Sequence, residues 1–355
     1  MCKKIIAAAA FSLLIADAHA QSSVTFAGIM DGGISYKSGA NAANSSQWAF
    51  GSGNLVTSRF IFQGVEDMGD GVKTLFKLES GFLTGTGQMT NARLPATAGS
   101  FLFDRGAWVG LKKDDLGTLS FGRHYTPFVE VLFQSDASGF ENFASVANTI
   151  YQTQTGFTGV QYTWANNSVK YTSPVFHGLG VSVLNSFGGT AGDFQNQRVV
   201  SAALYYTLGP VSLNGGYIDG KDPTGLTDKT VARAYTIFLT YTASLFKVGL
   251  NFENFQNPAT GSSQNYYSVG AQYRLTPAVQ FVSDYTYLSD RVKSDRNGSF
   301  FKLGVHYFLS KTTDVYAEAA ISHNDSLGTV GVASVFPSSP GINQRSVVTG
   351  IRHLF

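Results

Sequence analysis

The chain has 355 residues, of which 14% are charged and 14% are aromatic, and its formal net charge at pH 7 is +2. This balance excludes a strongly basic nucleic-acid-binding surface. Mean hydropathy is +0.01, and no stretch after residue 20 has the length and apolarity of a spanning helix. Apolar side chains must therefore be hidden by alternation along strands. No Pro- or Ser-rich linker divides the chain, so we predict one domain.

The N-terminal residues predict an export signal. Lys3 and Lys4 precede a short apolar core, and Ala18-His19-Ala20 fits a small-residue cleavage site. A retained membrane anchor is the alternative, but the apolar run is shorter than the roughly 20 residues that a spanning helix needs. We therefore predict a signal peptide over 1–20 and a mature domain over 21–355.

Beyond the signal, apolar and polar residues alternate over segments of about ten residues, the period of a strand with one apolar face. In Thr313–Ser322, for example, Val315 and Ala317 oppose Asp314 and Glu318. The same alternation occurs in Val72–Glu79, Leu245–Phe255 and Asn265–Leu275. Backbone inside a membrane must satisfy its own hydrogen bonds, so strands of this kind predict a closed antiparallel transmembrane β-barrel.

The connectors between these segments fall into two kinds. Short turns are predicted near Asp67–Gly71, Lys112–Gly117, Leu208–Pro210, Ala243–Leu245, Thr276–Pro277 and Ser310–Thr312. Longer loops rich in Gly, Ser and Asn are predicted over Lys37–Thr57, Gly81–Ser100 and His323–Gln344. Short turns at one end and long loops at the other are typical of bacterial barrels, and the segments predict about sixteen strands.

One connector is much longer than the others. Roughly forty residues separate the strand that ends near Arg123 from the strand that begins near Asn167, a length that usually indicates a functional or disordered loop. The connector carries Glu130, Asp136 and Glu141 together with several phenylalanines. We expect it to fold into the barrel, with its apolar part on the wall and its carboxylates facing basic residues across the lumen.

The mature sequence resembles the general-diffusion porins of β-proteobacteria, the trimeric outer-membrane family that includes Burkholderia, Comamonas and Neisseria porins. The resemblance extends from the first predicted strand to the C-terminal residue. The matching segments are SVTFAGIMD at 23–31, Ser58-Arg59, GVEDMGDGVK at 64–73, FGRHYTP at 121–127, NNSVKYTSP at 166–174 and GIRHLF at 350–355.

The resemblance implies a 16-stranded all-β barrel that forms a homotrimer, with the long third loop folded into the lumen to form a constriction. Arg59 and Arg105 match two arginines of the anion-selective members, and Arg123 lies at the root of the third loop. At the position of a further family arginine this sequence has Trp164. Strict alternation places Arg105 on the same face as apolar neighbours, so a bulge or an irregular strand end is needed there.

A constriction of this kind sets selectivity through its radius and the charges that line it. We predict six constriction residues. The arginines Arg59, Arg105 and Arg123 are expected to lie opposite the carboxylates Glu130, Asp136 and Glu141. Lys73, Lys77 and Glu79 are expected to line the lumen nearer the periplasmic side. A solvated wall residue or a loop salt bridge remains the simpler interpretation of any single arginine.

The resemblance also implies the partners. These are two further copies of the chain, outer-membrane lipid and lipopolysaccharide, the barrel-assembly machinery through the terminal Phe355, and the small hydrophilic solutes and ions that pass the pore. No cofactor, metal ion or nucleic acid is expected. The expected location is the outer membrane of a Gram-negative bacterium.

Three other functions remain open. A solute-specific porin with an aromatic track and its own binding site is the closest alternative. A plugged adhesive barrel is a second. An outer-membrane enzyme is the weakest, because the five mature histidines are scattered and none lies in a nucleophile-elbow or H-E-x-x-H pattern. The single cysteine, Cys2, would leave with the signal, so thiolate chemistry is not expected.

Overall fold

The computed structural model describes residues 22–90, 101–153, 155–156, 162–333 and 337–355. The predicted signal peptide and its cleavage site lie outside the described residues. Within the described residues no helix is long and apolar enough to cross a membrane.

The described chain consists of seventeen strand segments and two short α-helices. The strands are β1 (Ser23–Lys37), β2 (Gln47–Ser52), β3 (Arg59–Gly69), β4 (Val72–Gly81), β5 (Gly106–Lys113), β6 (Gly117–Tyr125), β7 (Trp164–Thr172), β8 (Leu179–Ser186), β9 (Val199–Leu208), β10 (Val211–Lys221), β11 (Thr230–Thr242), β12 (Phe246–Asn257), β13 (Ser262–Thr276), β14 (Val279–Asp290), β15 (Gly298–Phe308), β16 (Thr313–Asn324) and β17 (Gln344–Leu354). The helices α1 (Pro127–Ser135) and α2 (Ala147–Gln152) lie between β6 and β7, and a single 3₁₀ turn covers Ser294–Arg296.

The sheet closes because β1 pairs with β17 on one side and with β2 and β3 on the other. Since β2 pairs with the second half of β1 and β3 with its first half, these two segments together occupy one position in the ring. The result is the closed 16-stranded antiparallel barrel that was predicted. One detail of the prediction is wrong: the loop expected over Lys37–Thr57 contains β2, because Gln47–Ser52 extends the hairpin with β1.

Burial follows the predicted alternation, with the polar face turned inward. In β16 the buried positions include Asp314, Tyr316 and Glu318, whereas Val315 and Ile321 are exposed. The six predicted short turns all separate adjacent strands, for example between β9 and β10. The apolar outer face therefore suits lipid, and the inside of the barrel is lined by polar side chains.

The described part of the long loop, residues 126–153, 155–156 and 162–163, folds into the barrel as expected. Its helix α1 begins where the Thr126 hydroxyl accepts a bond from the Val129 amide and Pro127 supplies a preset φ. The helix lies against the inner face of the wall, where the Phe128 amide donates to the Ser201 hydroxyl at 3.0 Å. Gly216 permits this approach, since a Cβ there would lie 3.2 Å from the Phe128 Cα.

A second segment, residues 53–58 between β2 and β3, enters the lumen, and we call it the inlet. Its backbone is held by Asp31, whose carboxylate accepts bonds from the Leu55 and Val56 amides, each at 2.8 Å, and from the Tyr316 hydroxyl at 2.6 Å. The Leu55 carbonyl in turn accepts a bond from the Asn142 amide at 2.7 Å. The inlet therefore braces the long loop from the side opposite to α1.

The lipid face can be tested at Leu204, which is 47% exposed on the outer face of β9. We expect Leu204→Arg to lower the free energy of unfolding in phospholipid vesicles by about 2–4 kcal/mol, because an outward charge lies in hydrocarbon. Urea titration of the reconstituted protein measures this value.

The control is Thr207→Arg, which places the same side chain on the inner face of the same strand, where the position is exposed to the lumen. We expect little change from it. Equal losses for the two variants would contradict the assigned faces.

Candidate functional site: the charged constriction of the lumen

A cluster of charged side chains lies on the inner wall formed by β3, β4 and β6. The Arg59 Nε lies 3.5 Å from the Glu79 Oε1, and the Lys77 Nζ lies 2.7 Å from the Glu79 Oε2. Antiparallel pairing explains the contact between Arg59 and Glu79, because Arg59 pairs with Gly81, two residues beyond Glu79 on the neighbouring strand. Arg59 and Lys77 remain partly exposed to the lumen, while Glu79 is buried.

Arg105 joins this cluster from the residue immediately before β5. Its Nη1 donates to the Tyr125 hydroxyl at 3.0 Å, and that hydroxyl donates to the Glu79 Oε1 at 3.0 Å. Burial lowers the pKa of Arg105, but Tyr125, Glu79 and Asp104 more than offset this effect, so the pKa lies above its ordinary value and the side chain is charged. The parity conflict is resolved because the strand begins only at Gly106.

Arg123 lies beside Arg105 at the end of β6. Its Nε donates to the Asp104 carbonyl at 2.8 Å, and its Nη1 donates to the Asn166 side chain. The Trp164 indole contacts both guanidinium groups, with the Arg105 and Arg123 Cζ atoms 5.5 and 5.7 Å from the ring centroid. Trp164 occupies the position at which the resemblance implies a further arginine, and its ring makes cation–π contacts with both guanidinium groups.

The carboxylates of the long loop have different partners. The Glu130 Oε1 pairs with the Lys170 Nζ of β7 at 2.5 Å. The Asp136 carboxylate accepts bonds from the Ser138 and Phe140 amides, each at 2.8 Å, and it is only 3% exposed. Both groups therefore serve the loop's own fold and its attachment to the wall.

Glu141 has the most buried partners of the three. It contacts the ammonium of Lys302, which is completely buried and lies 3.6 Å from Glu318 on the next strand. Burial and the Glu318 carboxylate both raise the pKa of Glu141, while Lys302 lowers it. The Nε2 of His306 lies 2.9 Å from Glu318 and 3.6 Å from Glu141. The three groups Glu141, His306 and Glu318 have ligand-like spacing, but the Lys302 ammonium already supplies a cation there.

The contact partners of the loop carboxylates are not the expected arginines. Asp136 and Glu141 are buried, and Glu130 is paired with Lys170 of the wall. Glu79 pairs with Ile61 and therefore lies two residues nearer the short periplasmic turn than Arg59, and its carboxylate reaches back to contact the Arg59 guanidinium. Lys73 does lie near that turn, opposite Asp67, and Lys77 is bound to Glu79.

Sequence reasoning missed Tyr125, Asp104 and Lys302. Tyr125 ends β6 after a register shift between Gly122 and His124, and Asp104 precedes β5, so simple alternation predicts the direction of neither. Lys302 is flanked by Phe301 and Leu303 on an alternating strand, so its inward direction was predictable, but its partner lies 161 residues away in sequence.

A cavity of about 590 Å³ lies between the cluster, the inlet before β3 and the long loop. Its lining includes Lys37, Arg105, Asn142, Tyr151 and Trp164. The cavity is on the side of the long loops, since β1 and β17 contribute the ends that are remote from the short turns. We call this cavity the vestibule.

A closed 16-stranded barrel whose charged lumen is narrowed by an inserted loop defines a membrane channel of the porin class. The family model described as Gram-negative porin matches residues 6–327, and the chain belongs to this family. It is an outer-membrane porin of a Gram-negative bacterium and provides a passive channel for ions and small hydrophilic solutes. The family and the fold are those of a channel rather than an enzyme.

Two curated relatives cover the whole chain or nearly so. An outer membrane porin protein of Bordetella pertussis is 26% identical over 410 residues, covering 100% of both chains. Outer membrane porin protein 32 of Delftia acidovorans is 28% identical, covering 99% of this chain and 100% of the relative.

Among solved structures, the anion-selective porin from Comamonas acidovorans has a TM-score of 0.80 at 23% identity, covering 94% of this chain and 100% of that one. The trimer form of OmpT from Vibrio cholerae has a TM-score of 0.69 at 17% identity, covering 94% and 99%. These structural matches support the barrel fold.

The attachment of the long loop can be tested at Lys302. We expect Lys302→Met to lower the free energy of unfolding by about 3–5 kcal/mol, because it leaves Glu141 and Glu318 buried without their cation. Urea titration in detergent micelles measures this loss, and limited proteolysis shows whether the long loop becomes accessible.

The matched control is Lys293→Met, which removes an exposed lysine from the connector after β14. We expect a change within about 0.5 kcal/mol for this surface position. If Lys302→Met were no more destabilising than Lys293→Met, the ion pair would not be what holds the loop.

Proposed function

We propose that this porin is a general-diffusion channel that favours small anions over cations, and that Arg59, Arg105 and Arg123 are the constriction residues responsible. The observation that carries the proposal is the excess of positive over negative side chains on one part of the wall. Three arginines and Lys77 share one wall with Glu79 and Asp104, so cations exceed carboxylates there among the described residues.

The carboxylates of the long loop add little to oppose this excess. Glu130 is neutralised by Lys170, and Glu141 by Lys302. Asp136 is buried within its own turn, and its carbonyl accepts a bond from the Lys247 ammonium at 2.8 Å. We propose that these three residues shape the constriction by anchoring the loop. The arginines determine whether the constriction favours anions or cations.

The lysines of β4 contribute at two depths of the lumen. Lys77 extends the positive face of the constriction, although it shares Glu79 with Arg59. Lys73 lies near the short turn at the other end of the strand, where it attracts anions before they leave the pore. Because the lumen holds water and salt, a charge at this distance from the narrowest part has a smaller effect on selectivity.

The selectivity proposal can be tested by neutralising Arg59. We expect Arg59→Gln to shift the reversal potential in a potassium chloride gradient toward that of a cation-preferring pore, because a lumen-facing positive charge is lost while Glu79 remains. Planar bilayer recordings of the refolded protein measure the shift.

The control is Arg345→Gln, which removes the same charge from an exposed position on the outer face of β17. We expect its reversal potential to match that of the unchanged protein. Equal potentials for the unchanged protein and Arg59→Gln would refute the role of Arg59, and a silent but folded barrel would refute the open channel.

We further propose that the chain assembles as a homotrimer in contact with lipid and lipopolysaccharide, and that the barrel-assembly machinery recognises its C-terminal strand through Phe355. The Phe355 amide and carbonyl each bond to Gly28, so the terminal residue lies where the barrel closes. A recognition element at this position would be free before closure and covered after it.

We also propose that residues 1–20 are removed during export. Intact-mass measurement of protein extracted from outer membranes is expected to give the mass of residues 21–355, because the small residues at 18 and 20 fit the cleavage site. A mass that includes residues 1–20 would contradict the proposal and indicate a retained anchor.

A further inference from the structure

The vestibule cavity combines positive charge with aromatic surface in a way that a passage for inorganic ions does not require. Its volume of about 590 Å³ lies in the range of small-molecule sites, which are commonly 300–1,000 Å³. Arg105 and Lys37 line it together with Phe143, Tyr151 and Trp164. A ligand that fills it must therefore match both kinds of surface.

Arg105 is the cation best placed to bind a ligand. It is 8% exposed, and a guanidinium has five N–H donors. Its one side-chain hydrogen bond within the described part of the chain goes to the Tyr125 hydroxyl, and no carboxylate there lies within ion-pair distance of it. The nearby Asp104 carboxylate already accepts bonds from the Gly81 amide at 2.7 Å and the Thr90 hydroxyl at 2.5 Å. Arg105 therefore retains capacity for a carboxylate, the group that matches its planar geometry.

The aromatic side chains are fixed in place. Trp164 is packed against both guanidinium groups and against Tyr125, whose ring centroid lies 5.7 Å away. Tyr151 belongs to helix α2, which is tied to the loop before β17 by the bond from the Gln152 side chain to the Ala333 carbonyl at 2.6 Å. A planar ring that enters the cavity thus meets pre-arranged aromatic surface at little cost in side-chain entropy.

We propose that the vestibule is a binding subsite for small aromatic carboxylates, with the carboxylate on Arg105 and the ring against Tyr151 and Trp164. This inference rests on the proposed anion-favouring channel and names the class of solute that the channel retains best. Binding of this kind slows a solute in the vestibule and raises its local concentration above the constriction.

The first test uses the unchanged protein, so it does not depend on the folding of any variant. Chloride conductance is recorded in planar bilayers while benzoate, cyclohexanecarboxylate or acetate is added to the side of the long loops. The first two anions have the same charge and similar size, and they differ in the aromatic ring. We expect benzoate to reduce the current at about a tenfold lower concentration than cyclohexanecarboxylate, with acetate weaker still.

Variants then locate the site. Trp164→Leu and Tyr151→Leu are each expected to bring the half-maximal concentration of benzoate close to that of cyclohexanecarboxylate, while Trp164→Phe retains part of the difference. Trp48→Leu is the control, because Trp48 is 73% exposed on the outer face and does not line the cavity. It should leave the preference unchanged.

The outcomes separate this proposal from the proposed channel. Normal chloride conductance with equal block by benzoate and cyclohexanecarboxylate overturns the aromatic subsite and leaves the channel intact. A preference that survives both Trp164→Leu and Tyr151→Leu places the binding elsewhere and also overturns it. Absence of conductance from folded protein overturns the channel and this proposal together.

Discussion

The ion pair between Lys302 and Glu141 fixes the long loop to the inner wall of the barrel. A fully buried ammonium is tolerated only with close carboxylate partners, and here those partners come from the long loop and from the neighbouring strand. The pair therefore joins the loop to β15 and β16, while α1 attaches its other end to β9 and β10 through Ser201 and Gly216. A loop held at both ends cannot swing across the lumen without exposing unpaired charge. The position of the loop inside the barrel is in this sense a consequence of the buried charges of the wall.

The same contacts set the electrostatics of the pore. A carboxylate that is buried against a lysine contributes almost no field to the lumen, because the opposite charges cancel at short range and the remainder is screened by salt. The acidic loop therefore contributes almost no net charge to the lumen. The opposite wall keeps a surplus of positive charge, since Arg59 and Lys77 share Glu79 as their carboxylate partner and Arg105 is linked to it only through the Tyr125 hydroxyl. The proposed selectivity depends on which charges are paired, and a simple count of charged residues in the loop would have predicted a different one.

The sequence predicted the parts of this structure that depend on local periodicity. Inward and outward positions of β16 follow from the alternation of Asp314 and Glu318 with Val315, and each turn follows from a break in that alternation. Pairing between distant residues leaves no such signal. Nothing in the sequence near Glu141 indicates Lys302, which is 161 residues away, and the contact between Arg59 and Glu79 requires the register of β3 against β4. The direction of Arg105 was also beyond prediction, because it precedes its strand and strand parity does not apply there.

Trp164 shows how one departure from a family pattern can change the basis of selectivity. A third arginine beside Arg105 and Arg123 would add charge but also repulsion among like charges at short distance. An indole at this position attracts both guanidinium groups and contributes no charge of its own. The two cations are thereby kept in fixed positions at a lower net charge, and an aromatic edge is added to the wall of the vestibule. In the proposed channel, Trp164 in place of an arginine is expected to weaken the general attraction for anions and to provide a means of distinguishing them by shape.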